Sequence, residues 1–294
     1  MPAIKLKTPA KINLLLSILK RRLDNFHEVE TIYQTINLFD IVTVEYIESD
    51  ETNIKISSND STLPLDSSNL AYKAAEKFLN ATSKKAFIKI NLTKNIPKEA
   101  GLAGGSSNAA CVLNALNKIN FYPLEESIIK RLALSLGADV SFFLKGGAAI
   151  GKGIGDILEP IKPADLDIVL LKPKNISVST PEAYNLYDEL SIKPTPKRMF
   201  DIVNSMADNN VESISSNLFN SLEYAVFKVK PELKAYKDKL IELGCYSSLM
   251  TGSGSAVFGI AKDSEHAEYV KNNISDDSVD VWVLKTITSQ TSIS

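Results

Sequence analysis

Apolar and polar positions along the first half of the chain follow the pattern of strands. Residues 4–6, 10–19, 29–38 and 41–47 are rich in β-branched and aliphatic side chains. Residues 86–92 alternate apolar and polar, as a half-buried strand does. A helix is predicted over 71–79, capped by Ser67 or Ser68, and another over 109–118. Leu124, Ile128, Leu132 and Leu136 recur every fourth residue on one helical face, with Gly137 placed for a left-handed C-terminal cap. Five glycines within 146–155 predict a turn between short strands.

The pattern changes near Pro160 and Pro163. A strand at 167–171 is followed by helical periodicity at 181–190, 197–206 and 218–227, and Pro231 opens a further helix to 243. The remainder reads as a strand at 247–250, a Gly-Ser-Gly turn, a strand at 256–260, a helix, and a last strand at 279–284. No internal repeat or low-complexity tract interrupts this order. Strands and helices alternate without strict βαβ regularity, which predicts an α+β fold in two layers.

Composition narrows the class. At about 150 residues per domain, 294 residues make two domains or one large one. A hydrophobic fraction of 44% and a charged fraction of 23% suit a globular chain whose core needs no metal or disulfide. The formal charge is −2, and Lys20-Arg21-Arg22, Lys84-Lys85 and Lys197-Arg198 read as solvated clusters. They form no stripe for nucleic acid. Cys111 and Cys245 fall in no paired motif, so neither a disulfide framework nor a zinc site is expected, and a reducing cytoplasm fits. Lys5, Lys7 and Lys11 before the apolar run 12–19 resemble a short signal peptide. Asn13 and Ser17 interrupt that run, basic residues follow it and no small-x-small cleavage site appears, so it reads as a buried strand. No stretch approaches the roughly 20 apolar residues of a membrane span.

Candidate chemistry concentrates in residues 97–110, Pro-Lys-Glu-Ala-Gly-Leu-Ala-Gly-Gly-Ser-Ser-Asn-Ala-Ala. Gly101, Gly104 and Gly105 allow tight turns and close approach of a ligand. A glycine-rich loop that feeds a helix offers free N–H groups and partial positive charge to a phosphate. A plain turn with a Ser N-cap is the alternative. Gly146 to Gly153 nearly matches a P-loop, but Gly153 stands where Ser or Thr must follow Lys152, and Pro160 leaves little room for the required helix. Lys11 and Asn13 lie two apart on a predicted strand and so share a face. Asp139, after Gly137-Ala138, reads by itself as a helix N-cap. Asp24-Asn25-Phe26-His27 is a turn carrying an aromatic ring and one of two histidines, and Thr251-Gly252-Ser253-Gly254-Ser255 is a second glycine turn between strands.

Together and in this order, these segments resemble the GHMP small-molecule kinase superfamily. The matching pieces are Pro9-Ala10-Lys11-Ile12-Asn13-Leu14, residues 97–110, Leu136-Gly137-Ala138-Asp139-Val140, Gly146-Gly147-Ala148-Ala149 with Gly151 and Gly153, Val178-Ser179-Thr180-Pro181, and Thr251-Gly252-Ser253-Gly254. The resemblance implies an N-terminal domain over 1–160 like the second domain of ribosomal protein S5, and a ferredoxin-like domain over 161–294. It implies ATP with magnesium as co-substrate. Pro97, Lys98, Glu99, Ala100, Gly101, Leu102, Ala103, Gly104, Gly105, Ser106 and Ser107 would wrap its phosphates, with Asn69 and Lys94 near the nucleotide. Asp139 matches the family's catalytic base and Lys11 its partner. In the branch most similar to this chain the acceptor alcohol is carried on a cytidyl diphosphate. Asn13, Phe26, His27, Thr180 and Tyr184 match its binding residues, with Phe26 and Tyr184 on the two faces of the base. That branch usually reads Asp-Gly-Tyr-His where this chain has Asp24-Asn25-Phe26-His27. Asn tolerates a left-handed turn, whereas Phe keeps the stacking face and loses the hydroxyl. No metal site of the protein's own, no nucleic-acid or membrane partner, and a monomer or weak homodimer complete the expectation. The rivals are a homoserine or mevalonate-type kinase, whose acceptors carry no base to stack, and a non-catalytic nucleotide-binding regulator, against which Lys11 and Asp139 speak. A plain structural or interaction protein is the third, and without a charge stripe or low-complexity tail nothing favours it.

Overall fold

The computed structural model describes residues 2–190, 192 and 199–287. Two long strands, β1 (Ala3–Arg21) and β2 (His27–Glu48), form an antiparallel ribbon that is the spine of the molecule. The separate runs at 4–6 and 10–19 fuse into β1, and those at 29–38 and 41–47 into β2. The ribbon bends through register shifts at Pro9/Ala10, Asn13/Leu15 and Ile18/Lys20, as bulges re-aim side chains at functional edges. β3 (Asn53–Ser58) runs parallel to β4 (Ala86–Thr93), and β4 pairs with the distal part of β2. The proximal part of β2 pairs with β5 (Ala148–Lys152), which turns through Gly153 and Gly155 into β6 (Ile157–Ile161). No P-loop helix follows Lys152. β6 spans the expected 160/161 division.

Helices α1 (Leu70–Thr82), α2 (Gly104–Ile119), α3 (Glu126–Leu134) and α4 (Ala138–Phe143) share a core with this sheet. Small residues on α2, including Ala109, Ala110 and Ala115, let it lie deep against the strands. The second sheet holds β7 (Asp167–Pro173), β9 (Ser247–Met250), β10 (Val257–Ile260) and β11 (Val279–Lys285) in the antiparallel order β11-β7-β10-β9. Numbered within the sheet, that is a 4-1-3-2 arrangement, the ferredoxin-like order. Between β7 and β9 come α5 (Thr180–Glu189), α6 (Met199–Ala207), α7 (Val211–Ser216), β8 (Phe219–Asn220), α8 (Glu223–Val229) and α9 (Pro231–Glu242); α10 (Ser264–Asn272) joins β10 to β11. Ile168 and Leu170 alternate with Val169 and Leu171 along β7. The first pair packs with Ile12, Leu14 and Ile36 of the ribbon, and the second with Val226, Leu233 and Leu240 of the covering helices. The two sheets therefore share one apolar interior.

Several expectations need correction. Asn69, not Ser67 or Ser68, caps α1: the Ser68 hydroxyl is donated to Asp66, while Asn69 Oδ1 accepts from Ala71 N at 2.9 Å. The helix expected from 109 begins at Gly104, so the glycines open the helix rather than precede it. Leu124 lies outside α3, which is capped at its end by Ser135, and Gly137 is instead the N-cap of α4. Asp139 is accordingly the second residue of α4 and not a cap. No helix covers 218–227. Phe219 and Asn220 pair in parallel with Leu15 and Leu16, Ser221 Oγ accepts from Ile18 N at 3.0 Å, and α8 starts only at Glu223. Lys197 and Arg198 of the helix expected over 197–206 lie outside the described residues.

Candidate active site

A cleft of about 1040 Å³ opens between the ribbon, the start of α2, the start of α4 and the start of α5. Its floor is β1. Lys11 is buried there, and its ammonium donates to Asn13 Oδ1 at 2.6 Å. Asn13 Nδ2 donates to Thr31 Oγ1 at 2.7 Å, and that hydroxyl donates onward to the Leu15 carbonyl at 2.7 Å. Both ends of the Asn13 amide are thus fixed, and the amide holds the lysine in one place. Burial lowers the Lys11 pKa below its ordinary value, and the nearby Asp139 carboxylate opposes that shift.

This burial has a measurable consequence. Between the lowered folded value and the ordinary 10.5, the unfolded chain binds more protons at Lys11 than the folded one. Stability contributed by this site therefore rises with pH through that window. Denaturant midpoints measured across alkaline pH should show the rise in the native chain and lose it in Lys11→Met. Parallel profiles for the two would contradict the assignment.

Asp139, in the first turn of the short helix α4, lines the same cleft, near enough to Lys11 for its charge to act on the ammonium. Tyr33 flanks it from β2, stacked on Phe142 at a centroid distance of 4.9 Å. Burial, and then the Asp139 charge, push the Tyr33 phenol well above its ordinary pKa, so it stays neutral and able to donate.

The glycine loop forms one wall. Pro97, Lys98, Glu99, Ala100, Gly101, Leu102, Ala103, Gly104, Gly105 and Ser106 all line the cleft. Ser107 does not. It is buried one turn into α2, where its N–H donates to the Ala103 carbonyl at 3.0 Å. α2 has no side-chain cap at its start, so amides at Gly104, Gly105 and Ser106 face the cleft with the helix dipole behind them. The loop is fastened from two sides. Lys11 N donates to Leu102 O at 3.2 Å, while Ser255 N and Ala256 N donate to Glu99 O and Ala100 O at 3.1 and 3.3 Å. Glu99 and Ala103 hold left-handed φ values of 50° and 55°, each a strain of order 1 kcal/mol or more for a residue with a Cβ. These flanking bonds hold the strained shape.

Asn69 and Lys94 border the same wall with their polar groups already engaged. Asn69 caps α1 and donates to the Pro64 carbonyl at 2.8 Å. The Lys94 ammonium pairs with buried Asp40 and donates to Asn108 Oδ1 at 2.9 Å. Nothing in the sequence marked Asp40, which also accepts from Asn95 N and Ile96 N at 2.8 and 2.9 Å and so shapes the loop's approach.

The opposite wall is aromatic. Phe26 projects from the β1–β2 turn and is exposed, and Asn25 takes the left-handed φ of 67° that the usual glycine would supply. His27 is buried, with its ring 4.9 Å from that of Tyr184 on α5. Burial, together with the Asp139 charge, raises the Tyr184 phenol pKa and keeps it neutral. Thr180, at the start of α5, lies 3.3 Å from Ser253 Oγ. α5 begins with a capping box between Ser179 and Glu182, which fixes where Tyr184 enters the cleft. The structure thus brings Lys11, Asn13, Asp139, the loop and the aromatic pair to one cavity. Asp188, also in that cavity and bonded to His27 at 2.8 Å, was not anticipated. Its position one helical turn after Tyr184 was the available signal.

Comparison with known proteins agrees with this arrangement. The GHMP kinases N terminal domain matches residues 69–147 and the GHMP kinases C terminal domain residues 202–279. A 4-diphosphocytidyl-2-C-methyl-D-erythritol kinase of Clostridioides difficile (strain 630) is 38% identical over 97% of this chain and 95% of its own. A crystal structure of 4-(cytidine 5'-diphospho)-2C-methyl-D-erythritol kinase superposes with a TM-score of 0.82 at 33% identity, covering 96% of this chain and 98% of the other. A homoserine kinase from Cytophaga hutchinsonii shares the fold, with a TM-score of 0.74 at 20% identity over 99% and 96% of the two chains. Identity sustained from end to end, with both halves of the fold matched, makes this chain a member of the GHMP kinase family, in its 4-diphosphocytidyl-2-C-methyl-D-erythritol kinase branch.

Proposed function

We propose that the protein transfers the γ-phosphoryl group of ATP to the 2-hydroxyl of 4-diphosphocytidyl-2-C-methyl-D-erythritol, in the non-mevalonate route to isoprenoid precursors. The observation that carries this reading is the cleft itself. The glycine-rich loop, Lys11, Asp139 and the aromatic side chains of Phe26, His27 and Tyr184 line one cavity. The loop from Pro97 to Ser106 holds the ATP phosphates through main-chain amides. Phe26, His27 and Tyr184 hold the cytosine, and Asn13 and Thr180 lie along the path between base and alcohol.

In the transfer, the acceptor oxygen forms a bond to the γ-phosphorus while the bond from that phosphorus to the β,γ-bridging oxygen breaks. The acceptor proton passes to Asp139 and then to water. An alcohol is far less acidic than a carboxylic acid of pKa near 4, so Asp139 takes the proton as the phosphorus bond develops. Lys11 orients the acceptor and steadies the partial negative charge that builds on its oxygen. Phosphoryl transfer depends on such positioning and charge stabilisation. A helix terminus alone supplies about 0.3–2 kcal/mol, against at least about 8 kcal/mol expected of an enzyme. The loop amides, magnesium and Lys11 therefore act together. Magnesium would be carried in by ATP and would offset the charge of its phosphates. One chain builds the whole cleft, so a monomer or weak homodimer suffices. No described helix is long and apolar enough to cross a membrane.

ATP consumption measured with the cytidyl substrate and with homoserine tests the reading. Turnover should require the cytidyl compound. Phe26→Ala should raise its KM about tenfold, the loss of one stacked base of 1–3 kcal/mol, with the ATP KM unchanged. Turnover of homoserine alone would overturn the function, and an unchanged cytidyl KM in Phe26→Ala would remove the stacking role.

A further inference from the structure

We propose that Asp188 determines which nucleobase the cleft accepts, by fixing the tautomer of His27. The inference rests on the cytidyl-acceptor reading above. Asp188 lies on α5 one turn beyond Tyr184, and its Oδ1 is 2.8 Å from His27 Nε2. Its other oxygen is 3.4 Å from the Arg21 guanidinium, which also donates to Asn25 Oδ1 at 3.3 Å. Arg21 thus links the carboxylate to the turn that presents Phe26. The His27 ring is immobilised between the Tyr184 ring and the edge of Tyr187, whose centroid is 6.3 Å away.

A carboxylate can only accept, so a neutral His27 ring must present Nε2–H to Asp188, and its Nδ1 then carries a lone pair. Cytosine offers an exocyclic amino donor where a uracil or thymine ring offers a carbonyl acceptor. An acceptor Nδ1 satisfies cytosine and sets lone pair against lone pair for uracil. A site built to hydrogen-bond one partner rejects its analogue because a buried polar group is left unpaired. Asp188 acts through His27 and is a positioning residue for specificity. Fixing an imidazole by a carboxylate behind it is the same device that orients metal-binding histidines, used here to read a base.

The test compares the cytidyl and uridyl diphosphate forms of methylerythritol as substrates at saturating ATP, for the native chain and for Asp188→Asn. The Asn amide can donate to Nε2 and so permits the Nδ1–H tautomer. The cytidyl preference in kcat/KM should fall at least about tenfold, the effect of one misplaced hydrogen bond. The change should lie in KM, with the ATP KM and the melting temperature unaltered. Nitrogen-15 spectra supply a readout independent of activity, because the chain has two histidines. In His266, Nδ1 accepts from Lys262 N at 3.1 Å and Nε2 faces Leu243 O at 2.9 Å, so in spectra of the neutral rings, taken well above the ordinary imidazole pKa of about 6.5, Nδ1–H should be absent in the native chain and appear only in the variant. Native His27 protonated at Nδ1, a preference retained in a folded Asp188→Asn, or equal rises in both KM values would overturn the inference. Failure of the native chain to turn over the cytidyl substrate would instead remove the functional reading beneath it.

Discussion

Asp139→Ala should lose turnover by about a thousandfold or more while still binding ATP. General-base catalysis contributes about 10²–10⁴, and the lost carboxylate also leaves Lys11 without the charge that opposes its burial. Both effects act on the acceptor side. The donor loop draws its hydrogen bonds from Lys11 N, Ser255 N and Ala256 N, none of which involves Asp139, so the ATP dissociation constant should stay within about twofold. Asp139→Asn keeps the shape and removes the basicity, and it should be nearly as slow. Calorimetric ATP titration beside single-turnover kinetics separates the two quantities. Turnover within tenfold of the native rate in either variant would refute the assignment of the base.

The second large effect is expected at Gly101. Its φ is +73°, and an added Cβ would lie 2.0 Å from the Thr251 carbonyl oxygen and 2.9 Å from the carbonyl carbon. Neither group can swing aside, because both are backbone in a buried turn. Gly101→Ala must therefore push the donor loop off the second glycine turn. Overpacking of this kind and left-handed strain each cost about 1–3 kcal/mol. The melting temperature should fall by several degrees, and the ATP KM should rise at least about tenfold, the equivalent of about 1.4 kcal/mol. Gly105→Ala is the control for stability. Its Cβ would meet only Leu70 Cδ1 at 3.9 Å, so the melting temperature should hold. Equal melting temperatures and ATP KM values for native and Gly101→Ala protein would show that the contact with Thr251 is not needed.

What could be read from the sequence divides along the range of the interactions involved. β4 was legible because burial of one face imprints an alternation on consecutive residues, and the ribbon segments because strands buried on both faces run rich in β-branched and aliphatic side chains. β3 was missed because only Ile54 and Ile56 turn inward, too few for a period to show. β8 was mistaken for helix because its two residues owe their conformation to Leu15 and Leu16, far away in the chain. The site follows the same rule. Glycine spacing, the Lys11–Asn13 interval and the Asp139 motif are local signals and were recognisable. The partners that hold those groups, Asp40 for Lys94 and Asp188 for His27, are set by tertiary proximity; nothing near Asp40 in sequence announces its pairing, and Asp188 is marked only by lying one helical turn after Tyr184. The Asp139 reading shows the converse. Its local context suggested a cap, but Gly137 took that position and left the carboxylate two residues further on, in the first turn of α4.

The two-sided fastening of the donor loop bears on how the protein is made. Residues 99 and 100 obtain their outer hydrogen bonds from residues 255 and 256, which leave the ribosome long after them. A nascent chain that has folded only its first sheet has the Lys11 bond to Leu102 but lacks the clamp on Glu99 and Ala100 that holds Glu99 in its unfavourable conformation. If this loop grips the nucleotide as proposed, that grip belongs to the finished polypeptide, and a chain truncated before residue 255 should bind ATP more weakly than the whole.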